Sequence, residues 1–292
     1  LMSVSLLRQH MQDTGLSQAK IATIFGVSPA VVSQYLKGIY TGDVAAIDEK
    51  VVQMLQRAKD KAGDIKSNFV PTETAKKIID VCGMAHTMND INLVIGEAGL
   101  GKTVALKHYA DNTAGVVFVE VEPTFSPKIM LMELCQKLGI NPSRNNHDNI
   151  SAITEKLKGS ERLIIIDEAE LLSYKCLEII RRIHDMTGVG VVLAGMPRLR
   201  RNLRGKSGEY KQLYSRIGFA CDIKDKLPDS DLDLLIKTAF GTDEFTQQLR
   251  TASHGNARRL NKLLRGVNRL AKLNNKPVSQ KMIETISGML ID

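Results

Sequence analysis

The feature that most constrains this chain is a glycine-rich segment that follows a short apolar run. Residues 91–95 read INLVI, and residues 96–103 read GEAGLGKT, a full match to the GxxxxGK[ST] pattern. Its glycines let the loop curl so that backbone N–H groups point inward, and a following helix would add the positive end of its dipole. The segment therefore predicts a strand, a phosphate-binding loop and a helix, in that order.

Each position of this loop has an expected task. Lys102 would reach the β- and γ-phosphates of ATP, and the Thr103 hydroxyl would ligate Mg²⁺. The candidate nucleotide-binding residues in the loop are Gly96, Glu97, Ala98, Gly99, Leu100, Gly101, Lys102 and Thr103.

A second motif, LIIIDEAE, occupies residues 163–170, and its Asp167 follows Lys102 by 65 residues. Four consecutive branched apolar residues predict a central strand covered on both faces, as in a parallel sheet. Asp167 at the end of that strand would hold Mg²⁺, and Glu168 would polarise the attacking water. The two motifs together predict a nucleoside triphosphatase of the class with an added strand between them.

Further strands are expected at residues 116–121, 190–194 and 219–223, with a helix at 127–138. Strands that alternate with helices predict an α/β fold, with a doubly wound parallel sheet and the nucleotide at the strand ends. We assign this ATPase core to residues 76–227. Residues 228–292 are expected to form a small all-α lid.

The N-terminal segment predicts two short helices. Ser17 and Ser28 are natural N-caps, Pro29 suits the first position of a helix, and Gly26 ends the helix before it. The layout resembles the helix-turn-helix of the phage repressor and Cro family, so we expect an all-α domain over residues 1–62 and a linker over 63–75. The resemblance implies that Ala30, Ser33, Gln34 and Lys37 face DNA in the major groove.

Composition and charge narrow the choice of partner. The 292 residues carry a net charge of +8, and residues 191–292 hold 19 Lys and Arg against 10 Asp and Glu. Such an excess at one end favours a polyanionic partner, a class that includes double-stranded DNA. The absence of an 18-residue apolar run predicts no membrane span, and the first residues lack a signal-peptide pattern. We expect a cytoplasmic protein.

Two arginine-containing segments follow the predicted core, LYSRI at residues 213–217 and HGNARRL at 254–260. Here the chain resembles the AAA+ ATPases. The resemblance implies that Arg216 reaches the nucleotide of a neighbouring subunit as a catalytic finger and that Arg258 contacts the bound nucleotide from the lid. One departure is Met196, which stands where this class usually has a polar residue. Hydrolysis is therefore expected to be slow, or Arg198 substitutes.

Two cation clusters are candidates for contact with the DNA backbone. The first lies in MPRLRRNLRGK, which we expect to be a loop, and contributes Arg198, Arg200, Arg201, Arg204 and Lys206. The second steps along one face of the predicted lid helix and contributes Lys262, Arg265 and Arg269. Few aromatic residues, 4% of the chain, argue against base stacking on single strands.

The order of these parts resembles the transposition protein B family of Mu-like phages nearly end to end. YTGD at residues 40–43, VVQMLQR at 51–57, FVPTET at 69–74 and LYSRI carry the resemblance. It implies an ATP-dependent DNA-binding protein that polymerises on target DNA, delivers that DNA to a transposase and stimulates it. The transposase in turn would stimulate ATP hydrolysis. The resemblance also implies a protein associated with the nucleoid of a bacterial host cell.

Two other functions remain open from the residues alone. A helicase-loading ATPase has a similar core and would bind a replicative helicase. A transcriptional regulator would use ATP to tune the helix-turn-helix, and footprinting distinguishes it, because target capture predicts extended, weakly selective protection.

Overall fold

The computed structural model describes residues 2–62, 69–205 and 211–291. It divides into two compact units, Leu1–Lys66 and Ser67–Asp292. Among these described residues, no helix combines the length and apolar character needed to cross a bilayer.

The first unit is helical and has its own core. Ser17 and Ser28 cap the second and third helices through side-chain oxygens, and Gly26 ends the second in the left-handed region at φ 66°. These caps and the short turn confirm the two predicted helices. Ile21, Val32 and Tyr35 are buried in the core. The helices are α1 Met2–Thr14, α2 Gln18–Phe25, α3 Pro29–Lys37 and α4 Val44–Ala62.

The second unit is built around a five-stranded parallel sheet with the order β2-β3-β4-β1-β5. Its strands are β1 Ile91–Gly96, β2 Val116–Glu120, β3 Leu163–Asp167, β4 Gly190–Gly195 and β5 Ile217–Lys224. Strand β4 lies between the strands of the two motifs, so the predicted added strand is confirmed. All residues of β1, β3 and β4 are buried, because helices cover both faces of the sheet.

Helices and one short 3₁₀ turn precede, connect and follow these strands in the described part of the second unit. They are α5 Glu73–Met88, α6 Lys102–Asn112, α7 Pro127–Lys137, α8 Asn146–Leu157, the 3₁₀ turn Ala169–Leu171, α9 Tyr174–Thr187, α10 Arg198–Arg204 and α11 Lys211–Tyr214. The C-terminal helices are α12 Asp229–Phe240, α13 Thr246–Ser253, α14 Ala257–Leu273 and α15 Gln280–Met289. The α/β fold with a C-terminal helical part agrees with the sequence-based expectation.

Two expectations need correction. Residues 198–204 form helix α10 and not a loop, because Leu199 and Leu203, four residues apart, are both fully buried and anchor one face. Helix α5 begins at Glu73, within the expected linker of 63–75. The Thr72 side chain accepts from the N–H of Ala75, and buried Asp231 of α12 accepts from the N–H groups of Glu73 and Thr74 at 2.9 and 3.1 Å. Residues 63–68 of that linker lie outside the described residues.

Candidate nucleotide-binding site

The loop between β1 and α6 has the backbone that a phosphate cradle requires. Gly99 and Gly101 have φ values of 81° and 88°, which side-chain-bearing residues rarely adopt, and Gly101 caps the N-terminus of α6. A Cβ at Gly99 would lie 2.5 Å from Oδ1 of Asn256. Leu100 anchors the loop, since it is buried. Gly99 is thus needed both for its conformation and for the close approach of the C-terminal helices.

Lys102 lies inside the curl of this loop. Its Nζ donates to the carbonyl oxygens of Gly96 and Glu97 at 2.7 and 3.0 Å, and the residue is buried. Burial lowers the pKa of Lys102, whereas the nearby carboxylates, led by Asp167, act in the opposite direction. A phosphate is a stronger hydrogen-bond acceptor for this ammonium than two carbonyl oxygens are. The Lys102 side chain is therefore suited to leave the two carbonyls and bind a phosphate in the loop.

Thr103 and Asp167 meet at the ends of the two motifs. The Thr103 hydroxyl donates to Oδ2 of Asp167 at 2.5 Å, and Oδ1 of Asp167 accepts from the N–H of Glu168 at 2.9 Å. Asp167 is completely buried, and burial raises its pKa in spite of these hydrogen bonds. A hydroxyl and a carboxylate oxygen side by side are hard oxygen ligands, which fit Mg²⁺.

Glu168 follows directly in an unusual backbone conformation. Its φ of 55° is left-handed, which turns the chain sharply out of β3 into the 3₁₀ turn. Burial, and then the carboxylates of Glu170 and Asp167, raise the pKa of Glu168. The structure thus brings Lys102, Thr103, Asp167 and Glu168 together, as the two motifs predict.

Sequence reasoning missed one member of this cluster. Glu170 is 5% exposed, and its carboxyl group lies within hydrogen-bond reach of that of Glu168, with no N–H donor to it among the residues that the structure describes. Its backbone carbonyl accepts from the Asn202 side chain at 3.1 Å. Glu170 is the last residue of the DEAE motif, but the sequence does not predict that it is buried, because its burial depends on the sharp turn at Glu168.

The C-terminal helices contact the phosphate-binding loop directly. The Asn256 side chain donates to the carbonyl of Ala98 at 2.8 Å, and the N–H of Arg258 donates to the carbonyl of Gly99 at 3.0 Å. Oδ1 of Asn256 also caps α14 by accepting from the N–H of Arg259. The first turn of α14 is therefore bonded to the loop, with the exposed side chain of Arg258 beside it. An asparagine before an amphipathic helix signals the cap but not this contact.

With this geometry established, the chain can be compared with known proteins. Residues 87–203 match the family model described as an AAA domain. The chain is 32% identical over 221 residues to the Mu-like prophage FluMu DNA transposition protein B of Haemophilus influenzae, covering 73% of this chain and 77% of that protein. It is 31% identical over 220 residues to the ATP-dependent target DNA activator B of Escherichia phage Mu, covering 72% and 69%. The chain belongs to the Mu transposition protein B family.

Solved structures support the fold. The ORC2 protein of Aeropyrum pernix, in its ADPNP and ADP complexes, aligns with a TM-score of 0.60 at 16% identity, over 78% of this chain and 72% of that one. A RuvB mutant of Thermotoga maritima aligns with a TM-score of 0.51 at 19% identity, over 74% and 68%. At such low identity these likenesses establish the AAA+ fold alone.

In this member of the transposition protein B family, Arg216 lies apart from the cluster around the loop. It precedes β5, and its Nε donates to Oδ1 of Asp185 on α9 at 3.0 Å. Asp185 also pairs with Arg181, which in turn pairs with Glu178. The Arg216 side chain remains 49% exposed. It is therefore held at the surface of its own subunit.

The end of β4 carries no strongly polar side chain in this family member. Gly195 is the last residue of the strand, and partly buried Met196 follows it. A thioether is at most a weak hydrogen-bond acceptor. The exposed side chain of Arg198 begins helix α10 just beyond.

The predicted DNA contacts fall on three helices. On α10, Arg200 pairs with Asp222 at 3.2 Å and Arg204 donates to the Tyr214 hydroxyl at 3.0 Å, while Arg198 and Arg201 are exposed. Lys206 lies outside the described residues. Helix α14 exposes Lys262, Arg265 and Arg269 on one face, and its opposite face is buried. On α3 of the first unit, Gln34 and Lys37 are exposed and Ser33 is partly buried.

Proposed function

We propose that this protein is an ATP-dependent, largely sequence-nonspecific DNA-binding ATPase that captures target DNA for a transposase. One observation carries the proposal: the first turn of α14 is hydrogen-bonded to the phosphate-binding loop, and the same helix exposes a row of cations. A nucleotide bound in the loop and DNA bound to the exposed cations would then both affect the position of helix α14. Proteins of the same family are described as ATP-dependent target DNA activators.

The loop and its neighbours provide the nucleotide site. Backbone N–H groups of residues 96–103 and the N-terminus of α6 would receive the phosphates, and Lys102 would turn from its two carbonyl partners to them. The side chain of Arg258 would add a second cation. The hydroxyl of Thr103 and the carboxylate of Asp167 would hold Mg²⁺, which neutralises charge on the phosphate oxygens.

Glu168 would act as the general base of hydrolysis. Its carboxylate accepts a proton from water as the water oxygen bonds to the γ-phosphorus and the bond from that phosphorus to the bridging oxygen breaks, leaving ADP and phosphate. Lys102 stabilises the charge that develops on the transferring group. Met196 provides no strong acceptor for the water, so the unstimulated reaction is expected to be slow.

Arg216 would make ATP hydrolysis depend on a neighbouring subunit. Its half-exposed guanidinium, held by Asp185, would reach the γ-phosphate bound to an adjacent copy. ATP would then stabilise a homo-oligomer or filament on DNA, and hydrolysis would release it. DNA affinity would follow the nucleotide state, because many α14 helices would engage one duplex together.

The charge of α14 supports phosphate-backbone contact. Lys262, Arg265 and Arg269 recur at three- and four-residue steps, so they share one exposed face. Such contacts are largely sequence-independent and release counterions. The first unit has a folded helix-turn-helix with Gln34 and Lys37 exposed, which would add contacts to a major groove.

The test is ATP-dependent binding to random-sequence duplex DNA by the full chain and two variants. Lys102→Ala should lose the ATP-dependent part of binding, whereas Lys158→Ala, at an exposed lysine on the far end of α8, should bind as the wild type does. Undiminished binding by Lys102→Ala at saturating ATP would refute the proposal. With its transposase, the wild-type protein should also direct strand transfer into the bound DNA, and binding a replicative helicase instead would favour a loader.

A further inference from the structure

Glu170 is a buried carboxylate whose side-chain neighbour is a second carboxylate, that of Glu168. It is 5% exposed, and both carboxylate oxygens lack a donor among the residues that the structure describes. Burial of an unpaired carboxylate is costly, so proteins rarely retain one without a use. The carboxylate oxygens of Glu170 therefore need hydrogen-bond donors, and the O–H groups of a water molecule are such donors.

The position of this carboxylate is fixed from two sides. A Cβ at Gly195 would lie 2.2 Å from Oε2 of Glu170, so the carboxylate lies against the end of β4. The Asn202 side chain holds the Glu170 carbonyl at 3.1 Å, and the N–H of Leu171 is bonded to the Glu168 carbonyl at 2.9 Å. These bonds hold the backbone of the 3₁₀ turn, and the side chains of Glu168 and Glu170 are in contact with each other.

The surroundings connect Glu170 to the reaction centre. Its negative charge acts on both Lys102 and Glu168, the two groups that would face the γ-phosphate. The end of β4 offers only Gly195 and the thioether of Met196. An acceptor beside Glu168 therefore has to come from the turn after β3, and Glu170 is the residue placed there.

We propose that Glu170 is a second acceptor for the attacking water, so that Glu168 and Glu170 orient it together. This inference rests on the proposed ATP hydrolysis. Water has two O–H groups, and when each donates to one carboxylate the orientation of the molecule is fixed, so that its lone pairs face away from the carboxylates. During attack the proton passes to Glu168, while Glu170 keeps its hydrogen bond and takes no proton. The acceptor that Met196 does not provide is thus supplied from the turn that follows the neighbouring strand, β3.

Glu170→Gln and Glu170→Met test this role in the full chain. We expect the single-turnover rate of ATP hydrolysis to fall roughly 10-fold with Gln, which keeps one acceptor, and about 100-fold with Met, because the attacking water is then less well positioned. Binding of a fluorescent ATP analogue should stay within about 2-fold of the wild type. The melting temperature without nucleotide should not fall, because an unpaired buried charge is removed. Glu155→Gln, at an exposed glutamate on α8, is the matched control.

Two results would overturn the role of Glu170. One is wild-type turnover in both variants. The other is slower turnover accompanied by weaker nucleotide binding and a lower melting temperature, which is the signature of a structural residue. Glu168→Gln, measured in parallel, keeps this outcome separate from the larger proposal. If Glu168→Gln is inactive and the Glu170 variants are normal, only the inference on Glu170 fails; if the wild type itself hydrolyses no ATP, the proposed function fails with it.

Discussion

Arg216 and Asp185 form an ion pair that joins the residue before β5 to helix α9, with Nε and Oδ1 3.0 Å apart. The pair uses one edge of the guanidinium and leaves the side chain half exposed. Asp185 is itself held by Arg181. The arrangement fixes the direction of Arg216 without burying it, which is compatible with the proposed action on a neighbouring subunit.

Asp185→Asn should therefore weaken assembly without touching the nucleotide site. A neutral amide binds guanidinium less strongly than a carboxylate does, so Arg216 would be less well oriented. We expect nucleotide affinity to stay unchanged, and DNA-stimulated turnover and oligomer growth to drop several-fold towards those of Arg216→Ala. Asp243→Asn, which breaks the exposed pair with Lys237, is the control. A defective Arg216→Ala beside a fully normal Asp185→Asn would rule out this positioning role.

Gly99→Ala should weaken nucleotide binding through two effects. The new Cβ would strain a backbone at φ 81° and would lie 2.5 Å from Oδ1 of Asn256. Gly159→Ala is a matched control, because Gly159 has φ 68° and open space around it. Each change should cost stability by about 1 kcal/mol from the backbone strain. Only Gly99→Ala should weaken ATP binding, by at least about 10-fold, as measured by titration with a fluorescent analogue. Equal nucleotide affinity in the two variants would contradict the role assigned to the loop.

The sequence was sufficient for the elements whose evidence is local. The glycine-rich loop, the apolar strand before Asp167 and the capped helices around Gly26 each lie within about a dozen residues, and the structure has them as predicted. Helix α10 was predicted as a loop because a dense run of arginines obscures the helical spacing of Leu199 and Leu203, the pair that is buried.

The contacts that complete the site join distant parts of the chain, and no local pattern reports them. Asn256 reaches Ala98 across 158 positions of sequence, and Asp231 reaches the N–H of Glu73 across the same number. Each is an ordinary polar residue on or before a helix. Its partner is determined only when the helices after β5 pack against the sheet.

Asn256 should couple the nucleotide loop to the DNA-binding helix. Asn256→Ser keeps a capping oxygen for α14 but is too short to reach Ala98, whereas Asn256→Ala removes both hydrogen bonds. Both variants should reduce the ratio of DNA affinities measured with ATP and ADP, and only Ala should lower stability further, by about 1 kcal/mol. Asn145→Ser, at the cap of α8, should change neither quantity. Wild-type ATP dependence in Asn256→Ser would exclude the coupling.

The cations of α14 should determine the salt dependence of DNA binding. Changing all three of Lys262, Arg265 and Arg269 to Gln should reduce the slope of log affinity against log salt by up to about 0.9 for each phosphate that is no longer neutralised. A control with the same change in net charge replaces three other exposed lysines, Lys137, Lys158 and Lys237. An equal decrease in slope for both triple variants would mean that overall charge, and not helix α14, binds the DNA.

The central claim is that ATP bound at the loop assembles many copies of the chain on a duplex. Electron microscopy of the full chain with random-sequence DNA and either ATP or ADP tests it most directly. We predict that the protein coats the duplex as continuous filaments with ATP, that ADP or Lys102→Ala leaves bare DNA, and that Arg216→Ala gives short, broken tracts. Filaments of equal length with ATP, with ADP and with Lys102→Ala would contradict this claim.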